Sequence, residues 1–228
     1  MKVALMFRGI VRGEVLTENP LSNVTYSQDD VNWCVENIEI LKETFKAKGH
    51  EVETFMFSWS TQNTKELLTK TEIDNVTLVR QPSYEEAGKL VPSYHISPGP
   101  TSNRIASYGQ YMGWHTNLNM LKQTRRKYDY ICFARPDVRI RISDVDTWMT
   151  DCLVMPNIET QPINDQIYIA PYEQLIKMSN ITLESYVEEM PKHWNPEALL
   201  KYYFEERGIK FKLENNFTEY NLRGFKRR

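Results

Sequence analysis

Apolar residues along this chain recur with the periods of strands and helices in turn. Lys2–Phe7 is an apolar run closed by Arg8 and Gly9, the pattern of a buried first strand giving way to a loop. Val31–Lys48 places Val31, Cys34, Val35, Ile38, Leu41 and Phe45 at helical spacing, with Gly49 as the stop. Glu51–Phe57 predicts a second strand broken at Ser58-Trp59-Ser60, then a short helix over Thr64–Thr69 and a strand over Val76–Val79. Pro82–Pro100 is rich in Pro, Ser, Tyr and Gly, lacks a period, and is expected as an irregular excursion or an active-site loop. Ser102–Lys127 predicts a long helix with Ile105, Tyr108, Met112, Leu118 and Leu121 on its inner face. Gly109 and Gly113 weaken that helix intrinsically but permit close packing.

Tyr130–Ala134 reads as another buried strand, halting at Arg135-Pro136-Asp137, and Val138–Ile142 alternates like an exposed-edged one. Ser143 or Asp144 caps a short helix through Met149. Strands follow at Cys152–Met155 and Gln166–Ala170, helices at Tyr172–Met178 and Pro196–Arg207, and a closing strand at Ile209–Leu213. Asn195 as N-cap, Pro196 at the first helical position and Gly208 past the end make the last helix the best-bounded element.

Strands alternating with helices through the first 135 residues imply an α/β fold with a mostly parallel, doubly wound sheet flanked by helices. No repeat or linker divides the chain, so one domain over 1–228 is expected. Ligands of such sheets bind at the carboxyl ends of the strands, near the point where strand order switches. Arg8-Gly9 with Arg12-Gly13, then Ser58-Trp59, then Arg135-Pro136-Asp137 all follow strand ends and are expected along one rim.

Composition narrows the function classes. A hydrophobic content of 41% with 25% charged residues is that of an ordinary globular protein. A formal charge of −2 gives no field to attract nucleic acid, and neither a signal segment nor a transmembrane segment is legible. The three cysteines, Cys34, Cys132 and Cys152, suit a reducing compartment, and a cytoplasmic location is expected. The four Asn-x-Thr sequons, at Asn23, Asn75, Asn180 and Asn216, are then chance.

The chemistry-bearing residues sit where the strands end. No Gly-x-x-x-x-Gly-Lys-Ser/Thr or Gly-x-Gly-x-x-Gly fingerprint is present. Arg8-Gly9-Ile10-Val11-Arg12-Gly13 instead offers two guanidinium groups, planar forks that suit a diphosphate; a solvated turn is the alternative. Asp137 can lend one carboxylate to a hard divalent cation, with Arg135 a fixed positive charge beside it. The alternative is a surface ion pair of Asp137 with Arg135 or Arg139. Asp165, before the strand Ile167–Ala170, can accept an acceptor proton or close an Asx turn. Glu197 can do the former or complement the helix dipole. Arg104 opens the long helix and can reach phosphate or sugar, while Trp59 and Trp194 are candidate stacking platforms.

Met1–Gly13, Val52–Ser60, Tyr128–Ile142, Asn164–Ala170 and Asn195–Ile209 together resemble a family of stand-alone viral and bacterial glycosyltransferases with the GT-A fold. In that family Arg-Pro-Asp stands in place of Asp-x-Asp. The resemblance implies transfer of a sugar from a nucleotide-sugar donor, with uridine as the base, to a hydroxyl of a glycan or glycoside acceptor. It implies a divalent metal, Mn2+ or Mg2+, at Asp137, and donor binding by Arg8, Gly9, Arg12, Ser58, Trp59, Arg104, Arg135 and Asp137. Asp165 and Glu197 become the catalytic candidates, and His193 a candidate further ligand. Residues 1–137 would form the nucleotide side and 138–228 the acceptor side. Arg135 occupies the first acidic position, so protein ligation would rest on Asp137. A non-catalytic nucleotide-sugar binding module and a sugar-phosphate nucleotidyltransferase are the rival readings.

Overall fold

The computed structural model describes residues 1–8, 28–82, 84–91, 102–157, 166–193 and 196–222. The strands are β1 (Lys2–Arg8), β2 (Glu51–Trp59), β3 (Asn75–Val79), β4 (Tyr130–Ala134), β5 (Val138–Ile142), β6 (Leu153–Pro156), β7 (Ile167–Pro171), β8 (Phe211–Glu214) and β9 (Phe217–Leu222). The helices are α1 (Gln28–Lys46), α2 (Gln62–Lys70), α3 (Tyr84–Leu90), α4 (Ser102–Gln123), α5 (Tyr172–Leu175), α6 (Leu183–Glu189) and α7 (Pro196–Glu206).

Seven strands form one sheet in the order β3-β2-β1-β4-β7-β6-β8. β1 pairs in parallel with both β2 and β4, and β6 with β8; β7 alone runs antiparallel, against β4 and β6. This is the expected α/β architecture, a mostly parallel sheet flanked by helices. The period-two alternation of the central strands explains the two faces. Ala4, Met6, Ile131 and Phe133 pack with α4, α6 and α7 through Trp114, Leu118, Tyr186 and Tyr203. Val3, Leu5, Phe7, Cys132 and Ala134 pack with α1 through Val31, Cys34, Ile38 and Phe45. Because strands buried on both faces need continuous apolar runs, these were the easiest elements to read.

Four local expectations change. β2 continues through Ser58 and Trp59, since Ser58↔Leu78 and Trp59↔Val79 extend its ladder with β3. The Pro82–Pro100 stretch contains α3, whose Glu85 and Glu86 open it and whose Lys89 pairs with Glu85 at 2.7 Å, charges placed to suit the helix dipole; residues 92–100 lie outside the described ones. α4 stops at Gln123, short of Lys127: Thr124 Oγ1 donates to the Leu121 carbonyl and Arg125 turns left-handed at φ 54°. The edge of β5 is covered by β9, which pairs with it antiparallel from Val138↔Leu222 to Ile142↔Phe217.

At the amino end of the sheet, Glu53 is 7% exposed and anchors a polar cluster. Its carboxylate accepts from Tyr128 Oη at 2.6 Å and Asn75 Nδ2 at 3.2 Å and pairs with Arg126 at 2.8 Å. Burial alone would push this carboxyl up; the hydrogen bonds from Tyr128, Arg126 and Asn75 and the Arg126 charge override it and bring it down to about 2. A depressed carboxyl stabilises the fold above its unfolded value, about 4.3, and that contribution is lost as pH falls through the folded value. Melting temperature is therefore expected to drop between about pH 4.3 and about pH 2, and Glu53→Gln should flatten that part of a melting-versus-pH curve. An unchanged slope in the variant would exclude Glu53 as the titrating group.

Candidate active site

The chain runs β1, β2, β3 to one side and then crosses to β4 on the other flank of β1, so the strand order switches between β1 and β4. At such a switch the connections leaving two neighbouring strands diverge, opening a crevice above their carboxyl ends. Phe7 is in register with Ala134, so Arg8 and Arg135, each the next residue, stand side by side at that point. β7 runs the other way, so its start is at this rim: Ile167 is in register with Ala134, and the Arg135 amide donates to the Gln166 carbonyl at 2.8 Å.

α4 sets the position of Arg8. Asn117 Nδ2 donates to the Phe7 carbonyl at 3.0 Å, fixing the helix against the end of β1. A Cβ on Gly113 would lie 2.9 Å from Arg8 Cβ and 3.1 Å from its Cδ. One on Gly109 would lie 3.3 Å from Trp59 Cζ2. The two glycines, one helical turn apart, are the notch through which the helix reaches Arg8 and Trp59. Arg104 starts five residues before Gly109, about 7.5 Å along the axis, which places that first turn beyond the strand ends. Gly113→Ala gains about 1 kcal/mol of helix propensity but costs about 1–3 kcal/mol of overlap with the root of Arg8. It is expected to lower the melting temperature by a few degrees and to weaken diphosphate binding about tenfold. Gly109→Ala, against a ring edge, should do neither. Equal behaviour of the two variants in melting and titration would remove Gly113 as the determinant of Arg8.

Arg-Pro-Asp forms a tight turn, with the Val138 amide donating to the Arg135 carbonyl at 3.2 Å. α1 braces it: Asn37 Nδ2 donates to the Pro136 carbonyl at 3.0 Å and Trp33 Nε1 to the Asp137 carbonyl at 3.2 Å. Arg139 lies over the Trp33 ring at 3.6 Å and donates to Asn37 Oδ1 at 3.0 Å and to Glu36. Trp33, Glu36 and Asn37 were missed in the sequence, although their i, i+3, i+4 spacing puts them on one side of α1.

The turn exists to seat one pair. Arg135 Nε and Nη2 donate to Asp137 Oδ1 and Oδ2 at 2.9 and 2.7 Å, a bidentate fork. The Asp137 side chain is 3% exposed and that of Arg135 27%. The surface pair weighed as the alternative for Asp137 is thus a buried one, with Arg135 and not Arg139. A divalent cation needs several oxygen donors at about 2.0–2.6 Å, and here both oxygens of Asp137 are held by a guanidinium. Among the described residues no three His, Cys, Asp or Glu side chains gather as a metal site. The expected Mn2+ or Mg2+ ligation by Asp137 does not fit this geometry.

The remaining candidates fall as follows. Ser58 and Trp59 are buried: Ser58 Oγ lies 3.2 Å from Thr64 Oγ1, and the Trp59 ring stacks on Tyr108 with centroids 6.2 Å apart. They support the rim from below and present no stacking face to a ligand. Glu197 is half-buried in the first turn of α7. That helix packs Phe204 on Tyr168 and ends where β8 begins, so its first turn lies toward the rim. His193 packs against Tyr202, ring centroids 5.0 Å apart, and burial pushes its pKa down. Gly9, Arg12, Asp165 and Trp194 lie outside the described residues.

Over most of its length the chain is similar in structure to solved glycosyltransferases, among them the following. One is the galactosyltransferase LgtC in complex with donor and acceptor sugar analogues, at 11% identity and TM-score 0.48, covering 90% of this chain and 70% of that one. An active-site mutant of LgtC gives 11% identity, TM-score 0.49 and the same coverage, 90% and 70%. A glycosyltransferase involved in glycosylation of the major capsid of PBCV-1 gives 8% identity and TM-score 0.46, covering 94% and 81%. No protein-family model matches the sequence, and no curated protein does. Among the described residues no helix is long and apolar enough to cross a membrane.

Proposed function

We propose that this chain is a glycosyltransferase of GT-A type, moving a sugar from a nucleoside-diphosphate sugar to a hydroxyl of a glycan acceptor. The observation that carries the reading is the placement of Arg8 and Arg135 side by side at the carboxyl ends of β1 and β4, the strands that flank the switch in sheet order. Two guanidinium-bearing residues at such a crevice suit a diphosphate. The resemblance of the five sequence segments supplies the rest: a uridine base, and the division into a donor side over 1–137 and an acceptor side over 138–228.

In the reaction the acceptor oxygen forms a bond to the anomeric carbon as the bond from that carbon to the β-phosphate oxygen breaks. The electron pair leaves with the diphosphate, where Arg8 and Arg135 offset the developing charge. The acceptor proton passes to a carboxylate, Asp165 or Glu197, and orientation supplies much of the remaining acceleration. Arg104, in the first turn of α4, is assigned to the donor side.

A panel of nucleotide-sugars with simple glycoside acceptors tests this. Nucleoside diphosphate released only when acceptor is present supports it. Binding without release would make the chain a binding module, and pyrophosphate formed from a nucleoside triphosphate and a sugar phosphate would make it a nucleotidyltransferase.

A further inference from the structure

The Arg-Pro-Asp turn occupies the place where an acidic metal ligand is expected, and its geometry inverts the charge offered there. Asp137 is the interior member of the pair, 3% exposed, and Arg135 the outer one, 27% exposed. A ligand arriving at the rim therefore meets the guanidinium. The two-pronged fork from Arg135 to Asp137 fixes the plane of the guanidinium. The brace behind it, from Asn37 and Trp33 of α1, holds the backbone of Pro136 and Asp137 at 3.0 and 3.2 Å. A divalent ion at Asp137 would have to expel this guanidinium and leave its charge beside a dication.

We infer that the diphosphate site of this chain is built on arginine and works without a metal ion. Arg135 provides the outward-facing positive charge, Arg8, 5% exposed at the next strand end, adds its field from behind, and Asp137 is a positioning residue that orients the Arg135 fork. The inference rests on the proposed function for its ligand but makes a separate claim about the site. It assigns Asp137 the opposite task from metal ligation, so the two roles give opposite results when each residue is changed.

The test is calorimetric titration of inorganic pyrophosphate and of uridine diphosphate, in EDTA and then with Mg2+ or Mn2+, on the whole chain. For the unchanged protein, pyrophosphate affinity in EDTA and with metal should agree within about twofold, while Arg135→Gln should weaken it about ten- to a hundredfold in either condition. Asp137→Asn, which keeps the guanidinium but loosens it, should weaken it less, with no response to metal. Arg135→Lys, which keeps the charge and loses the fork, should fall between, and a melting curve for each variant confirms that it is folded. Binding that needs metal in the unchanged protein, is lost in Asp137→Asn and survives Arg135→Gln would overturn the inference while leaving the nucleotide reading intact. Pyrophosphate bound without metal but uridine diphosphate bound no more tightly would uphold the arginine site and sink the nucleotide reading. If neither ligand binds under any condition, both fall.

Discussion

Asp137→Ala is expected to reduce glycosyl transfer about a hundredfold or more and to destabilise the fold by about 3 kcal/mol. The stability loss follows from taking the anion out of a buried fork. Arg135 keeps its charge, its neighbours remain, and the penalty for breaking such pairs is usually about 3–5 kcal/mol. The lower end applies because Arg135 is 27% exposed and water can solvate part of the guanidinium. The activity loss follows from geometry, since a cation displaced by about 1 Å no longer sits where the leaving diphosphate develops charge. Asp137→Asn keeps one carbonyl acceptor for the fork and should lose less on both counts. Thermal melting and initial rates on the same preparations check this. A variant that melts normally and turns over normally would show that the fork matters to neither.

Comparable losses are expected on the acceptor side. Asp165→Asn or Glu197→Gln preserves shape and removes the base, so the one that accepts the proton should lose about 10²–10⁴ in turnover. Diphosphate affinity should stay within about twofold, because neither residue belongs to the pair of strand ends at Arg8 and Arg135. Asp165 should show the larger effect. It immediately precedes Gln166 in the sequence, and the Gln166 carbonyl accepts from the Arg135 amide at 2.8 Å at the switch point. Glu197 has a sufficient structural reason to be acidic, at the first turn of α7, where the dipole contributes about 0.3–1 kcal/mol. Its change to Gln should therefore cost little stability. Loss of diphosphate binding in either variant would move that residue to the donor side, and normal turnover in both would leave proton transfer to another group.

The sequence was most legible where one interaction dominates. β1 and β4 are buried on both faces, and only an unbroken apolar run satisfies that, so their ends and the polar residues after them could be located. Gly109 and Gly113 were readable as close-packing sites because nothing else explains two glycines one turn apart in a helix. Long-range pairing was not legible. β9 shows only Phe217 and Leu222 as strong apolar signals, and it forms because β5 offers it an edge. The reversed direction of β7, which brings Gln166 to the rim, depends on pairing with β4 across more than thirty intervening residues. α3 was hidden in a window of Pro, Ser and Gly because its stabilising charges span a single stretch of seven residues. At the site, Arg135 and Asp137 were both found and their pairing was among the readings weighed, but its burial and direction were not legible. A residue pair two apart does not reveal whether the acid or the base faces out. That depended on Trp33 and Asn37 pinning the turn from a helix a hundred residues earlier.

Product stoichiometry separates sugar transfer to a hydroxyl from hydrolysis of the donor. A nucleotide-sugar that the chain turns over is incubated with its glycoside acceptor, and both products are counted by NMR in the same tube. One new glycosidic bond is expected for each nucleoside diphosphate released, and no release without acceptor. Diphosphate appearing with free sugar, at the same rate whether or not acceptor is present, would contradict it.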